Sequence, residues 1–200
     1  MAVTNGAQAT ASPPAIAVTK GAAGSAARRV VSLKNGANVV DLLGDGTKAQ
    51  VFVGWRENYN AHGFSTVAFY VFATSGIGDT AGVWQVVPFY GGARGGDVYR
   101  TSEGADCTLS DLRVLRRKHA PIEIIIATRR LGESFADSAA VRFDYYQVAR
   151  NADGVPGWPP YYFEHVRTVR GKRPYCDVNE AFDRELGLGT IGLGHGEGGR

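Results

Sequence analysis

Residues 41–64 hold the densest group of side chains able to do specific work. The stretch opens with Asp41-Leu-Leu-Gly-Asp45-Gly46, passes through Val51-Phe52-Val53, and ends in Trp55-Arg56-Glu57-Asn58-Tyr59-Asn60-Ala61-His62. Arg56 can hold a carboxylate in bidentate fashion. Trp55 and Tyr59 can stack on a ring. Asn58 and Asn60 donate and accept, while Glu57 and His62 add a carboxylate and an imidazole. These seven residues form the candidate binding set. The same residues also suit a hairpin corner, in which Arg56 and Glu57 pair with neighbouring strands and the asparagines satisfy the backbone. The sequence leaves both open.

The acidic half resembles the start of an EF-hand calcium loop, which needs oxygen ligands at positions 1, 3 and 5 and Gly at 6. Asp41, Asp45 and Gly46 fill positions 1, 5 and 6. Position 3 is Leu43, and position 12, where a bidentate Glu belongs, is Phe52. Two carboxylates with a gap hold calcium weakly at best, and weak calcium is the one cofactor the pattern allows. The other reading is a strand-launching turn, with Asp45 capping backbone N–H groups and Gly46 supplying a positive φ.

Catalytic templates are missing. The chain has no Ser-x-x-Lys, no Gly-x-Ser-x-Gly, no His-Glu-x-x-His and no His-x-His-x-Asp, and His62, His119, His165 and His195 are scattered. Glu123, Glu133, Asp137 and Asp144 are the carboxylates that could pair for acid–base work, but their separation is not legible from sequence. The expectation is a protein without catalytic activity.

Elements of β type must position these groups. Strands are predicted over 29–33, 38–43, 50–55, 64–74, 83–89, 112–117, 122–128, 141–149 and 161–170. Turns fall at Asn35-Gly36, a pair favoured in type I′ hairpins, at Gly44-Asp45-Gly46 and at Asn151–Gly154. Residues 91–108 read as a polar connection and 131–140 as a loop. The Asp177-Val-Asn-Glu180 spacing predicts a capping box that opens a short helix, packed by Phe182 and Leu186 and stopped at Gly187. The fold class is mainly β (a β-rich α+β), with antiparallel sheets and a short C-terminal helix. Residues 29–187 read as one β-rich domain, between a disordered segment (1–28) and a Gly-rich disordered tail (188–200).

The bulk figures agree with this picture. The 200 residues are 44% hydrophobic, enough for a sizeable core in one domain, and 27 are Gly, which suits a turn-rich chain. The net charge is only +3, with basic clusters at Arg113, Arg116, Arg117, Lys118 and at Arg167, Arg170, Lys172, Arg173. Such clusters can meet phosphate, or they can be solvated strand ends that block edge pairing. No aromatic platform is interleaved with them, and no nucleic-acid partner is expected. No run approaches about 18 apolar residues, so no membrane-spanning helix is expected. A basic segment followed by an apolar one is missing at the N-terminus. This fits either a cytosolic protein or a mature form whose leader is gone. Residues 1–27, rich in Ala, Thr, Ser, Gly and Pro, resemble the segment just behind an export cleavage site.

Cys107 and Cys176 are 69 residues apart. Each sits beside Asp in turn-like sequence, which favours a disulfide over two buried thiols and, with it, an oxidising compartment.

Several stretches together resemble the CarG-like carbapenem intrinsic-resistance proteins. They are Asp41–Gly46, Gly54–His62, Ser102–Cys107, Gly132–Asp137, and Pro160–Glu164 through Tyr175–Val178, spread over about residues 30–187. The resemblance implies a periplasmic or secreted β-rich protein that protects against a β-lactam by binding rather than hydrolysis, with a β-lactam or a cell-envelope protein as partner. The alternative is an extracellular calcium- or carbohydrate-binding β module.

Overall fold

The computed structural model describes residues 28–74, 81–92, 95–104 and 106–193. The expected disordered N-terminal segment therefore lies, up to residue 27, outside the described residues, as does His195.

The strands run β1 (Arg29–Val31), β2 (Gly36–Asp41), β3 (Lys48–Arg56), β4 (Phe64–Thr74), β5 (Gly82–Val86), β6 (Phe89–Tyr90), β7 (Tyr99–Arg100), β8 (Ser102–Glu103), β9 (Thr108–Arg116), β10 (Glu123–Arg129), β11 (Ala139–Arg150) and β12 (Tyr161–Tyr175), followed by helix α1 (Val178–Leu186). One sheet has the order β1-β9-β10-β11-β12-β6, with β8 also on β9. The other has the order β2-β3-β4-β5, with β7 also on β4. All pairings are antiparallel except β12 with β6. The β-rich class with its one short helix is thus the observed one.

The sheets face each other across a core that includes Val51, Phe69, Phe89, Ile124, Ile126, Tyr146 and Phe163. Alternation along β3 explains why: Ala49, Val51 and Val53 turn inward, while Phe52 stays half exposed. Behind the first sheet, α1 seats Val178, Ala181 and Phe182 on Ile125, Phe143 and Tyr145, making a second apolar cluster.

Three expectations need correction. Asn35-Gly36 does not turn a hairpin. Gly36 has the positive φ of +94°, but β1 joins β9 and β2 joins β3, so this corner passes the chain between sheets. The Asn38 side chain fixes it, accepting from the Lys34 N–H and donating to the Lys34 carbonyl. The capping box does not close either. Asp177 accepts from the Asn179 N–H, while Glu180 pairs with Arg184 one turn on. Gly187, at φ +65°, ends the helix as expected.

The third correction is the tail. Residues 188–193 pack against the domain, and Leu193 is only 6% exposed within the inter-sheet core. Its N–H reaches Asp111, which is buried in a pair with Arg113 at 3.2 Å. Arg113 also donates to Asn179 and to the Gly189 carbonyl, and lies 4.4 Å from the Phe182 ring centre. These buried polar residues interrupt the apolar alternation of β9. That is why the strand is longer than its hydrophobic pattern suggests, starting at Thr108.

Burial pushes the Asp111 carboxyl up to about 6, against the pull of Arg113 and of the Leu112 and Leu193 N–H groups. A raised acid favours the fold fully below the ordinary Asp value of about 4, and that contribution is lost as pH rises towards 6. In urea titrations, wild type should therefore lose up to about 3 kcal/mol relative to Asp111→Asn between pH 4 and pH 7. Parallel pH profiles would show that Asp111 is ionised in the fold throughout.

Candidate functional site

The hairpin tip between β3 and β4 is built around Glu57. The Trp55 indole N–H donates to one Glu57 oxygen at 3.2 Å, and the Tyr59 backbone N–H to the other at 2.6 Å. These two donors, the indole first, hold the Glu57 carboxyl below the usual Glu range. The Asn58 side chain donates to the His62 carbonyl, and Asn60 accepts from the His62 N–H. The Trp55 ring lies against Gly63, where any Cβ would overlap it. The asparagines and Glu57 are therefore spent on the tip itself, as the corner reading expects.

What the tip leaves outward is Tyr59, Trp55 and Arg56. Tyr59 is 96% exposed and held at φ +54°, an uncommon conformation for a residue with a side chain. Arg56 is exposed and lies 5.4 Å from the Phe64 ring centre, a ring shared with Arg100 at 3.8 Å. His62 is turned away from these groups. Its ring packs on Phe135 at 4.6 Å, and its Nδ1 lies 3.4 Å from the Glu103 carbonyl oxygen.

That contact ties the tip to three other segments. Phe135 sits in the 131–138 loop, with its ring against Gly104, where a Cβ would collide. Cys107 and Cys176 form a disulfide with Cα atoms 5.6 Å apart. Arg129 ends β10 nearly fully buried and donates to the carbonyls of Cys176, Arg130 and Phe135. Burial lowers its pKa, opposed by Asp137 and Asp177. Asp137 in turn accepts from the Ser134 N–H and hydroxyl, which hold its carboxyl low. Asp177 accepts from Thr108 as well as capping the helix. The stretches 54–62, 102–107, 132–137 and 175–178 are thus gathered at one end of the sandwich.

Arg129 and Phe135 were not legible as site residues. Arg129 reads as a basic strand end and Phe135 as a loop residue, and neither lies near the disulfide in sequence.

The acidic turn lies at the opposite end of β3. One Asp41 oxygen accepts from the N–H groups of Gly44 and Gly46, and Asp45 accepts from Thr47. Gly44, at φ +76°, presses on the backbone of Ala120, and the Ile122 N–H reaches the Leu42 carbonyl. The turn is a dock between the sheets, and no group of three His, Cys, Asp or Glu side chains suited to a metal occurs among the described residues.

Three of the four carboxylates considered for acid–base work have separate partners. Glu123 pairs with Arg28 and Arg117, and Asp137 with Ser134. Asp144 pairs with Arg142, Thr168 and His165, and Glu133 is exposed in its loop. No helix among the described residues is long and apolar enough to cross a membrane.

With this geometry in place, comparison with known proteins is informative. The profile of the family described as carbapenem resistance protein CarG-like matches residues 33–184. The chain belongs to the CarG-like family. The crystal structure of CarG superposes on it with a TM-score of 0.64, at 23% identity, covering 81% of this chain and 99% of that one. At that identity the superposition speaks for the shared fold. A search of curated proteins gave no match. In this CarG-like chain four of the stretches that carry the sequence resemblance are gathered at the disulfide end, while Asp41–Gly46 and Pro160–Glu164 lie at the other.

Closing a loop of this length should stabilise the fold by about 3–5 kcal/mol in the chain-entropy picture. Replacing both cysteines, Cys107→Ser with Cys176→Ser, should lower the unfolding free energy by that amount in denaturant titrations. A loss below about 1 kcal/mol would mean that the clamp carries little load.

Proposed function

We propose that this CarG-like chain is a non-catalytic periplasmic protein that protects against a β-lactam by binding rather than by hydrolysis. The observation that carries the reading is the convergence of four of the family-resembling stretches, 54–62, 102–107, 132–137 and 175–178, on the clamped end. There Trp55, Arg56 and Tyr59 face outward from a tip whose other polar groups are already satisfied. In this reading Arg56 takes the ligand carboxylate through its planar fork, and Trp55 or Tyr59 lies against the ring. Periplasmic residence is supported by the disulfide, which suits an oxidising compartment. A cell-envelope protein meeting the same end is the form the proposal takes if protection is indirect.

A second reading, a carbohydrate-binding β module, draws on the outer face of the β2-β3-β4-β5 sheet. Gln50, Phe52, Tyr70 and Trp84 line a shallow hollow there. Its aromatic rings meet each other edge-on, as Phe52 does Tyr70 and Phe72 does Trp84, so few ring faces are offered to a sugar. The calcium half of that reading rests only on Asp41 and Asp45, one oxygen of each of which already serves the turn.

Calorimetric titration of the full chain with a carbapenem tests the first reading. Saturable heat is expected, with affinity reduced about tenfold in Arg56→Ala, the scale of one lost charge-assisted bond. No heat in the millimolar range, together with an Arg56→Ala variant equal to wild type in a susceptibility assay, would refute it. Loss of the carbapenem ring absorbance on incubation would refute the non-catalytic part. Binding of an oligosaccharide instead would favour the second reading.

A further inference from the structure

At the end of the sandwich away from the disulfide, β1 and β9 bring two arginines together. Their register sets Arg29 directly opposite Arg116. Both share the strand face of Val31 and Val114, which pack into the inter-sheet core, so they stand at its mouth. Like charges directly opposed across a ladder are destabilising unless something neutralises them.

The nearby carboxylates do not. Glu123 is taken by Arg117 at 3.1 Å and Arg28 at 3.6 Å. Asp41 spends one oxygen on the turn N–H groups. Arg29, Arg116, Lys118 and His119 make no side-chain hydrogen bond or ion pair to another described residue. They surround a cavity of about 580 Å³, with Arg117, Asp41 and Gly44 completing its wall. His119 is held there at φ +54°, and the corner after it is pinned where Gly44 meets Ala120. Asp41 is the one acid on this wall, against three arginines and a lysine.

We infer that this cavity is an oxyanion-binding site, in which Arg29 and Arg116 bridge the phosphate or carboxylate group of a multiply charged small ligand while Lys118 adds a further positive charge. Two guanidinium forks on rigid neighbouring strands suit such a group, because each can donate a bidentate pair. The volume lies within the range of ordinary small-molecule sites. The site stands apart from the Trp55–Tyr59 tip, so it does not depend on the β-lactam reading.

The test is calorimetric titration of the full chain at low ionic strength with inorganic pyrophosphate and, separately, with citrate. Sodium chloride matched for ionic strength is the control. Saturable binding of at least one of the two anions is expected, weakened about tenfold or more by Arg116→Gln and equally by Arg29→Gln, each of which removes one charge-assisted fork. Using one variant from each strand keeps a folding fault in either from deciding the result. Arg173→Gln, on β12, should bind as wild type does. A preference for pyrophosphate assigns the site to phosphorylated ligands, and a preference for citrate assigns it to polycarboxylates. No saturable heat in the millimolar range would overturn the proposal, as would an equal loss in Arg173→Gln, which would reduce the effect to net charge.

Discussion

The buried guanidinium of Arg129 is the interaction on which the clamped end depends. It sits at the end of β10, nearly shielded from water, and donates to the carbonyls of Cys176, Arg130 and Phe135. Three backbone acceptors from two distant segments meet on one rigid fork. Without it those part-buried carbonyls would lose the donor that draws them together. The Cys107–Cys176 bond covers the same junction covalently, and Phe135 passes its placement to His62 through ring contact. Strand, loop, hairpin tip and helix N-terminus are therefore one mechanical unit.

The sandwich places a different kind of surface at each of its ends. β3 runs from the acidic turn at Asp41–Gly46 to the aromatic tip after Arg56, and β9 runs from Thr108, next to Cys107, to Arg116. The disulfide end thus carries the exposed Tyr59, Trp55 and Arg56. The other end carries cationic side chains around an acidic turn in which one oxygen each of Asp41 and Asp45 serves the backbone. One end is ordered by side-chain and disulfide cross-links between loops. The other is ordered by the close approach of Gly44 to Ala120, where even a methyl group would not fit.

The clean alternation of β3 and the nearly continuous apolar runs of β4 and β10 were legible because burial on one or both faces imposes the pattern directly. So was the helix stop at Gly187, a local matter of positive φ. Legibility failed where long-range contacts decide. β9 hides Asp111 and Arg113 in its interior, where a helix and the returning 188–193 segment supply partners for them, so its apolar alternation is weak. Asn35-Gly36 gave a correct local conformation and a wrong pairing, because the partner of β1 lies some eighty residues further on, in β9. At the candidate site the sequence located the tip. It did not tell that Glu57, Asn58 and Asn60 are consumed by it, nor that Arg129 and Phe135 hold it in place.

Residue-resolved hydrogen exchange on Arg129→Gln compared with wild type is the most direct measurement of this account. Exchange should rise sharply at the amides of 57–62 and 132–137, while the central amides of β10 and β11 keep their protection. Unchanged exchange in both loops, or a uniform rise across the whole domain, would contradict the claim that Arg129 holds this end together locally.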